Sequence, residues 1–276
     1  MLRSYASAWM TVAERSANEL WVCHLGVVAY DEALEIQAFV RARRQAGELP
    51  DTLLLLEHPP LYTRGRRSGA EQLLFSETFY RERRLEIFDS DRGGRITYHA
   101  PGQLVGYPIM AVEDVWRFVR TMEAAIVDAL AQEGVPARAR PEDGPDYTGV
   151  WVGERKIASI GVHIQRGVST HGFAVNVQND LEPFDWIVAC GLPDVSMTSI
   201  ASLSEGEHRR PDSEACDARL LCFRRRVAYS FARAHGLRQR LIAPRRLGIA
   251  TTQPTRRASG RAAIPVPTAD AEAVLL

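Results

Sequence analysis

Two residues in this sequence have the types and settings that chemistry needs. Lys and Arg together total 34 of the 276 residues, and Lys156 is the one lysine among them, leaving 33 arginines. Where so strong a bias spares a single ammonium, a compact, titratable cation suits the position better than a planar guanidinium. Chance survival of one surface lysine would give the same count. Cys190 stands in DWIVACGLPDVSMTSI, after a short apolar run and immediately before Gly191, where a strand or turn opens. A glycine beside a cysteine lets a substrate approach the sulfur closely. A free cysteine is equally at home in a core, being among the most buried residue types.

The most unusual stretch is RGGRITYHAPGQ, residues 92–103. Gly93 and Gly94 free the backbone to turn with exposed N–H groups. Thr97 and His99 point the same way from the strand-like ITYH, and Pro101-Gly102 forces a second turn. Such backbone donors suit a carboxyl, carbonyl or phosphate group. Strict alternation along RKIASIGVHI puts Lys156, Ala158 and Ile160 on one face, with Ile157, Ser159 and Gly161 on the other. In THGFAVNV, Gly172, Ala174 and Asn176 share a face. Ser159, Gly161, Gly172 and Ala174 then form a stripe of small residues, which fits either a groove for an acyl chain or extended peptide, or close packing of strand on strand. His99 and His171 are the histidines expected near a site. None of His58, His99, His163 and His171 has metal-ligand spacing, and no metal is expected.

Composition narrows the classes. Net charge is zero, so no global field draws the chain to nucleic acid or an anionic membrane. No apolar run reaches the roughly 18 residues of a membrane span, and the first twenty residues lack the apolar core of a secretory signal. Cys23, Cys190, Cys216 and Cys222 form no C-x-x-C pair, and a chain this long needs no disulfide staples. A reducing, cytoplasmic setting is expected.

These residues need elements to hold them. Residues 21–30 read as a strand, and DEALEIQAFVRARRQAG as a helix with Asp31 near its start and Gly47 after its end. DTLLLLEHPP reads as a buried strand stopped by Pro59 and Pro60, and LYTRGRRSGAEQLL as a polar loop. Val112, Val115, Trp116, Val119, Met122, Ile126 and Leu130 recur at helical spacing and are closed by Gly134. VWVG, RKIASIGVHI and THGFAVNV read as successive strands, the last two joined across QRGVS. A second helix spans about 214–235. The expected organisation is a lead-in over 1–20, one mixed α/β domain over 21–240 and a disordered tail over 241–276.

With these blocks assembled, the sequence resembles the octanoyltransferases of lipoate biosynthesis, in the biotin/lipoate protein ligase fold group. LLLLEHPPLYTRGRR, RGGRITYHAPGQLVGYPI, TGVWVGERKIASIGVHI, THGFAVNVQNDLEPFDWIVACGL and MTSI look like family blocks in family order, over about four-fifths of the chain. Ala100 departs from the pattern, which usually has Gly there. The resemblance implies an α/β (α+β) fold with a mixed β-sheet core flanked by helices. It implies Cys190 as acyl-accepting nucleophile, with Lys156 favouring its thiolate. Acyl-substrate contacts are implied at Arg92, Gly93, Gly94, Arg95, Ile96, Thr97, Tyr98 and His99, at Ser159, Ile160 and Gly161, and at Gly172, Phe173 and Ala174. The implied donor is octanoyl-acyl carrier protein. The implied acceptors are lysines on lipoyl domains of 2-oxoacid dehydrogenase complexes and on the glycine cleavage H protein, with no cofactor. A free thiol is only a few per cent thiolate at neutral pH, and moving it two units takes about 2.7 kcal/mol. An ammonium about 4 Å away supplies roughly 4 kcal/mol at an effective dielectric of 20, partly offset by desolvation. The alternative on the same fold is an ATP-dependent lipoate or biotin protein ligase, which needs no nucleophilic cysteine.

Overall fold

The computed structural model describes residues 18–204 and 213–249. The first strand, β1 (Glu19–Val27), leads into helix α1 (Tyr30–Gln45), and β2 (Thr52–Glu57) follows. The four leucines of β2 explain their own run. Leu53 and Leu55 face one apolar core while Leu54 and Leu56 face another. A strand buried on both faces needs apolar residues at every position. Helix α1 starts at Tyr30, one residue inside the stretch expected as strand, and ends before Gly47, whose φ of +71° a glycine adopts without strain.

Residues 61–74 differ from the loop expected of them. Leu61–Arg64 form a strand, β3, which is flanked by β4 (Glu86–Asp89) and β5 (Thr97–His99) in a small three-stranded sheet; helix α2 (Glu77–Glu82) lies between β3 and β4 in sequence. Polarity concealed it. Thr63 is fully buried in this strand because side chains, rather than water, satisfy its hydroxyl.

Strand β6 (Gln103–Ile109), helix α3 (Val115–Ala131), β7 (Gly149–Val152), β8 (Arg155–Gln165) and β9 (Val168–Asn176) follow, then a short helix α4 (Ile200–Ser204), helix α5 (Ser213–Ala234) and β10 (Arg238–Ile242). The large sheet runs β10-β1-β2-β6-β9-β8-β7, with β1 parallel to β2 and β10 and the other pairs antiparallel. Gly106 and Pro108 disguise β6 as a turn. Gly106 is required because a Cβ there would lie 2.1 Å from the Phe173 ring.

Helices α3 and α5 cover one face of this sheet through Phe118, Met122, Ile126, Phe223 and Phe231, and α1 covers the other. Asp114 caps α3 by accepting from the Arg117 N–H at 3.0 Å. The boundary drawn at residue 240 falls inside β10. Residues 241–249 carry the end of that strand and a buried Leu247, because pairing with β1 and packing under α1 overrides their polar composition. The lead-in expected over 1–20 overlaps the start of β1 at Glu19, and residues 1–17 of it and 250–276 of the expected tail lie outside the described residues. No described helix is long and apolar enough to cross a membrane.

Candidate active site

Lys156 is held from both edges of its strand. Its N–H donates to Ser196 O at 3.0 Å, and its carbonyl accepts from the Thr198 N–H at 2.9 Å. On the other side β7 pairs Val150 with Ala158 but Trp151 with Lys156, so Ile157 is an extra residue without a partner. This β-bulge overturns the alternation expected of β8, because one inserted residue exchanges the two faces. Ile157 and Ala158 both enter the core, and Lys156 emerges on the side of Ser159 instead of the opposite one. Gly149 completes the socket: at φ +136° it has no Cβ where one would stand 2.7 Å from Lys156 Cε. Its N–H is pinned to the buried Glu123 carboxylate at 2.9 Å.

Cys190 approaches from a tight turn, Ala189–Gly191, in left-handed backbone at φ +57°. Such a conformation costs a non-glycine residue of order 1 kcal/mol or more and persists only where the surroundings fix it. Here the Cys190 N–H donates to Ile96 O at 3.0 Å, and the Val188 N–H donates to Gln72 O at 2.9 Å. Gly191 follows at φ +70°, with Arg95 Cδ lying 2.1 Å from where a Cβ would be. The result is a sulfur 3.3 Å from Lys156 Nζ and 3.8 Å from Ser159 Oγ. Lys156 is 2% exposed, so its nitrogen meets the sulfur away from bulk water.

Both line one pocket. Arg92, Gly94, Arg95, Thr97 and His99 form one wall, and Ser159, Ile160, Gly161, Gly172, Phe173 and Ala174 another. The small-residue stripe is therefore real: Ser159 pairs with Ala174, and Gly161 with Gly172. Close packing accounts for part of it, since a Cβ on Gly172 would collide with Gly106 O at 2.2 Å, and all four residues line the pocket. Of the 92–99 segment, Gly93, Ile96 and Tyr98 do not line the pocket. The Gly93 N–H donates to Val162 O at 2.9 Å, while Ile96 and Tyr98 turn into the core of the small sheet. Thr97 Oγ1 is buried in the pocket wall without a hydrogen-bond partner.

A polar chain stitches the two sheets beside the pocket. Arg92 donates to Thr63 Oγ1 and O at 2.8 and 2.7 Å. The Thr63 hydroxyl, already an acceptor there, donates to His99 Nε2 at 3.3 Å. His99 Nδ1–H donates to Gln103 Oε1 at 2.8 Å, because the Gln103 amide nitrogen is donating to Tyr98 O and Asn176 Oδ1. His58 is likewise committed, donating from Nδ1 to Val28 O and accepting at Nε2 from Tyr107 Oη, both at 2.7 Å. Burial holds His99 well below the usual histidine range and pushes His58 down to about 4.

A second anchor fixes the glycine loop. Asp91 takes hydrogen bonds from His163 Nδ1 and His171 Nε2, both at 2.6 Å. Burial opposes ionising Asp91, but those two bonds and the fields of the rings outweigh it and hold the carboxyl below the usual range. His171 was expected near the site and lines the pocket, yet it serves Asp91. Neither expected histidine hydrogen-bonds the sulfur. Thr63, Asp91, Gly149, Trp151 and the Ser196–Thr198 segment went unnoticed in the sequence, for each acts through a partner that residue order alone does not mark. Among the described residues no group of three or more His, Cys, Asp or Glu is placed to hold a metal.

The site sets a cysteine sulfur against a lysine nitrogen in the lining of one pocket, on a mixed sheet with helices on both faces. The chain belongs to the family described as the lipoyl protein ligase A/B catalytic domain, which it matches over residues 29–222. Within that family it stands with the octanoyltransferases and is an acyltransferase. It is 45% identical over 186 residues to an octanoyltransferase of Caldicellulosiruptor bescii, covering 66% of this chain and 81% of that one. To that of Solibacter usitatus it is 48% identical over 190 residues, covering 66% and 84%. The fold is that of a lipoate-protein ligase A solved with ATP (TM-score 0.64, 16% identity, 82% of this chain and 89% of that one). The bi-partite lipoate protein ligase of Thermoplasma acidophilum shares it as well (TM-score 0.57, 16% identity, 82% and 87%).

Proposed function

We propose that this enzyme moves an octanoyl group from octanoyl-acyl carrier protein to a lysine of a lipoyl domain, through a thioester on Cys190. The observation that carries it is the 3.3 Å approach of Lys156 Nζ to Cys190 Sγ beside the pocket. The Cys190 thiolate attacks the donor's carbonyl carbon, forming a new C–S bond, and the donor's own C–S bond breaks. Lys156 gives its proton to the departing thiolate of the carrier arm and is left as a neutral amine. The acceptor lysine then attacks the Cys190 thioester as Lys156 takes up the proton it sheds. An amide forms, Cys190 leaves as thiolate, and the ion pair is restored.

Each proton removed in one half is returned in the other. The donor arrives as a thioester, so no nucleotide is needed for activation. Thr97 Oγ1 is a donor free to meet the acyl carbonyl, and the Ser159–Gly161 and Gly172–Ala174 strands floor the acyl groove. Acceptors are lipoyl domains of 2-oxoacid dehydrogenase complexes and the glycine cleavage H protein, and a free nucleophilic thiol favours the cytoplasm.

A Cys–His hydrolase finds no support, since His99 has both ring nitrogens committed elsewhere. A ligase would have no use for the sulfur. Intact-mass spectrometry after mixing with octanoyl-acyl carrier protein tests the proposal. An added octanoyl mass, absent from Cys190→Ser, is expected. Octanoylation of a lipoyl domain from free octanoate and ATP, surviving Cys190→Ser, would overturn it.

A further inference from the structure

Two arrangements of the couple hold the same number of protons: thiol beside amine, and thiolate beside ammonium. Bulk pH does not choose between them; the local field does. Lys156 is buried, Cys190 is half-buried, and among the described residues no carboxylate is paired with Lys156 to favour the charged form. Glu123, which holds the Gly149 side of the lysine socket, is engaged by Arg120 and the Gly149 N–H. Arg92, also buried, lines the same pocket.

What faces the ammonium is an aromatic ring. Lys156 Nζ lies 5.1 Å from the centroid of the Trp151 indole. Trp151 is 0% exposed, and its Nε1–H donates to Tyr147 O at 2.9 Å, which fixes the plane of the ring. Arg140, itself paired with Asp143 and Glu154, sits 5.0 Å from the same ring and helps to wall it in. A cation over an indole face is attracted by the ring quadrupole, most strongly when water is excluded.

We propose that Trp151 is a positioning residue that selects the thiolate–ammonium form by presenting its indole face to Lys156. A neutral amine gains nothing comparable from the ring, so the whole attraction weighs on one side of the proton's choice between sulfur and nitrogen. The bulge at Ile157 makes this possible, because it pairs Trp151 with Lys156 across the ladder. The inference rests on the Cys190–Lys156 couple of the proposed mechanism.

The test replaces Trp151 site-specifically with mono-, di- and trifluorotryptophan, which keep the shape of the ring while draining its face of negative charge. Two quantities are read at neutral pH: the ultraviolet absorbance of the thiolate and the rate at which iodoacetamide alkylates Cys190. Both are expected to fall stepwise with fluorination, by roughly tenfold in rate across the series, while the melting temperature stays put. Trp151→Phe keeps part of the rate and Trp151→Leu loses it. A flat response to fluorination would overturn the proposal, since a ring needed only for packing does not respond to its quadrupole. Neither readout uses an acyl donor, so a failure of octanoyl transfer itself would leave this result standing separately.

Discussion

Lys156 and Ser159 lie three residues apart on one strand and yet address the same sulfur, at 3.3 and 3.8 Å. A regular strand would turn one of them away. The extra residue at Ile157 removes that conflict and brings a proton-carrying group and a hydroxyl to one side of the thiol.

A guanidinium cannot stand in for the ammonium, because it never gives up its proton near neutrality. Lys156→Arg is therefore expected to keep some formation of the octanoyl-enzyme but to slow transfer to the acceptor lysine by about a hundredfold or more. Single-turnover measurements of the two half-reactions check this. Unimpaired transfer to the acceptor lysine would remove Lys156 from proton uptake.

Gly149→Ala puts a methyl 2.7 Å from Lys156 Cε and 2.4 Å from Ala158 O, at φ +136°. The expected cost is about 1–3 kcal/mol of stability. Because the group displaced is Lys156, octanoyl-enzyme formation should fall at least tenfold even at temperatures where the variant is folded. Denaturant midpoints and the rate of mass gain are measured together; a variant that is destabilised yet fully active would show that the socket does not position the lysine.

Acid should loosen the fold above the range where carboxylates titrate. Burial pushes His58 down to about 4, while in the unfolded chain a histidine titrates near 6.5. Between those values the unfolded state holds the extra proton, so stability falls as pH drops. From pH 7 to pH 5 the loss from one such histidine is about 2 kcal/mol. Asp91, held below the usual range, adds a loss only at lower pH, as the pH drops below about 4. Urea midpoints at the two pH values test the histidine contribution, and identical midpoints would count against a neutral, buried His58.

Much of the architecture was legible because it is periodic. The leucine run of β2, the heptad-like spacing of α3 and the glycine closing α1 each carry their structure in local residue order. The site was legible in part: the lone lysine and the Cys-Gly pair stood out by composition, and the small-residue stripe by alternation. What escaped depends on partners distant in sequence. No local signal marks the bulge at Ile157, since Ile157 is an ordinary strand residue. Thr63 looked like loop until Arg92 and His99 satisfied its hydroxyl. Residues 241–249 looked like tail until β1 supplied the other half of their ladder.

Two fully committed histidines, His58 and His99, bear on how long an acylated enzyme would survive. Hydrolysis of a thioester needs a base to strip a proton from water, and imidazole is the usual one. His99 already spends its free lone pair on Thr63, and His58 spends its own on Tyr107. Loaded with its cargo, the enzyme would find neither of these two imidazoles free to activate water, and would be discharged by the arrival of an amine.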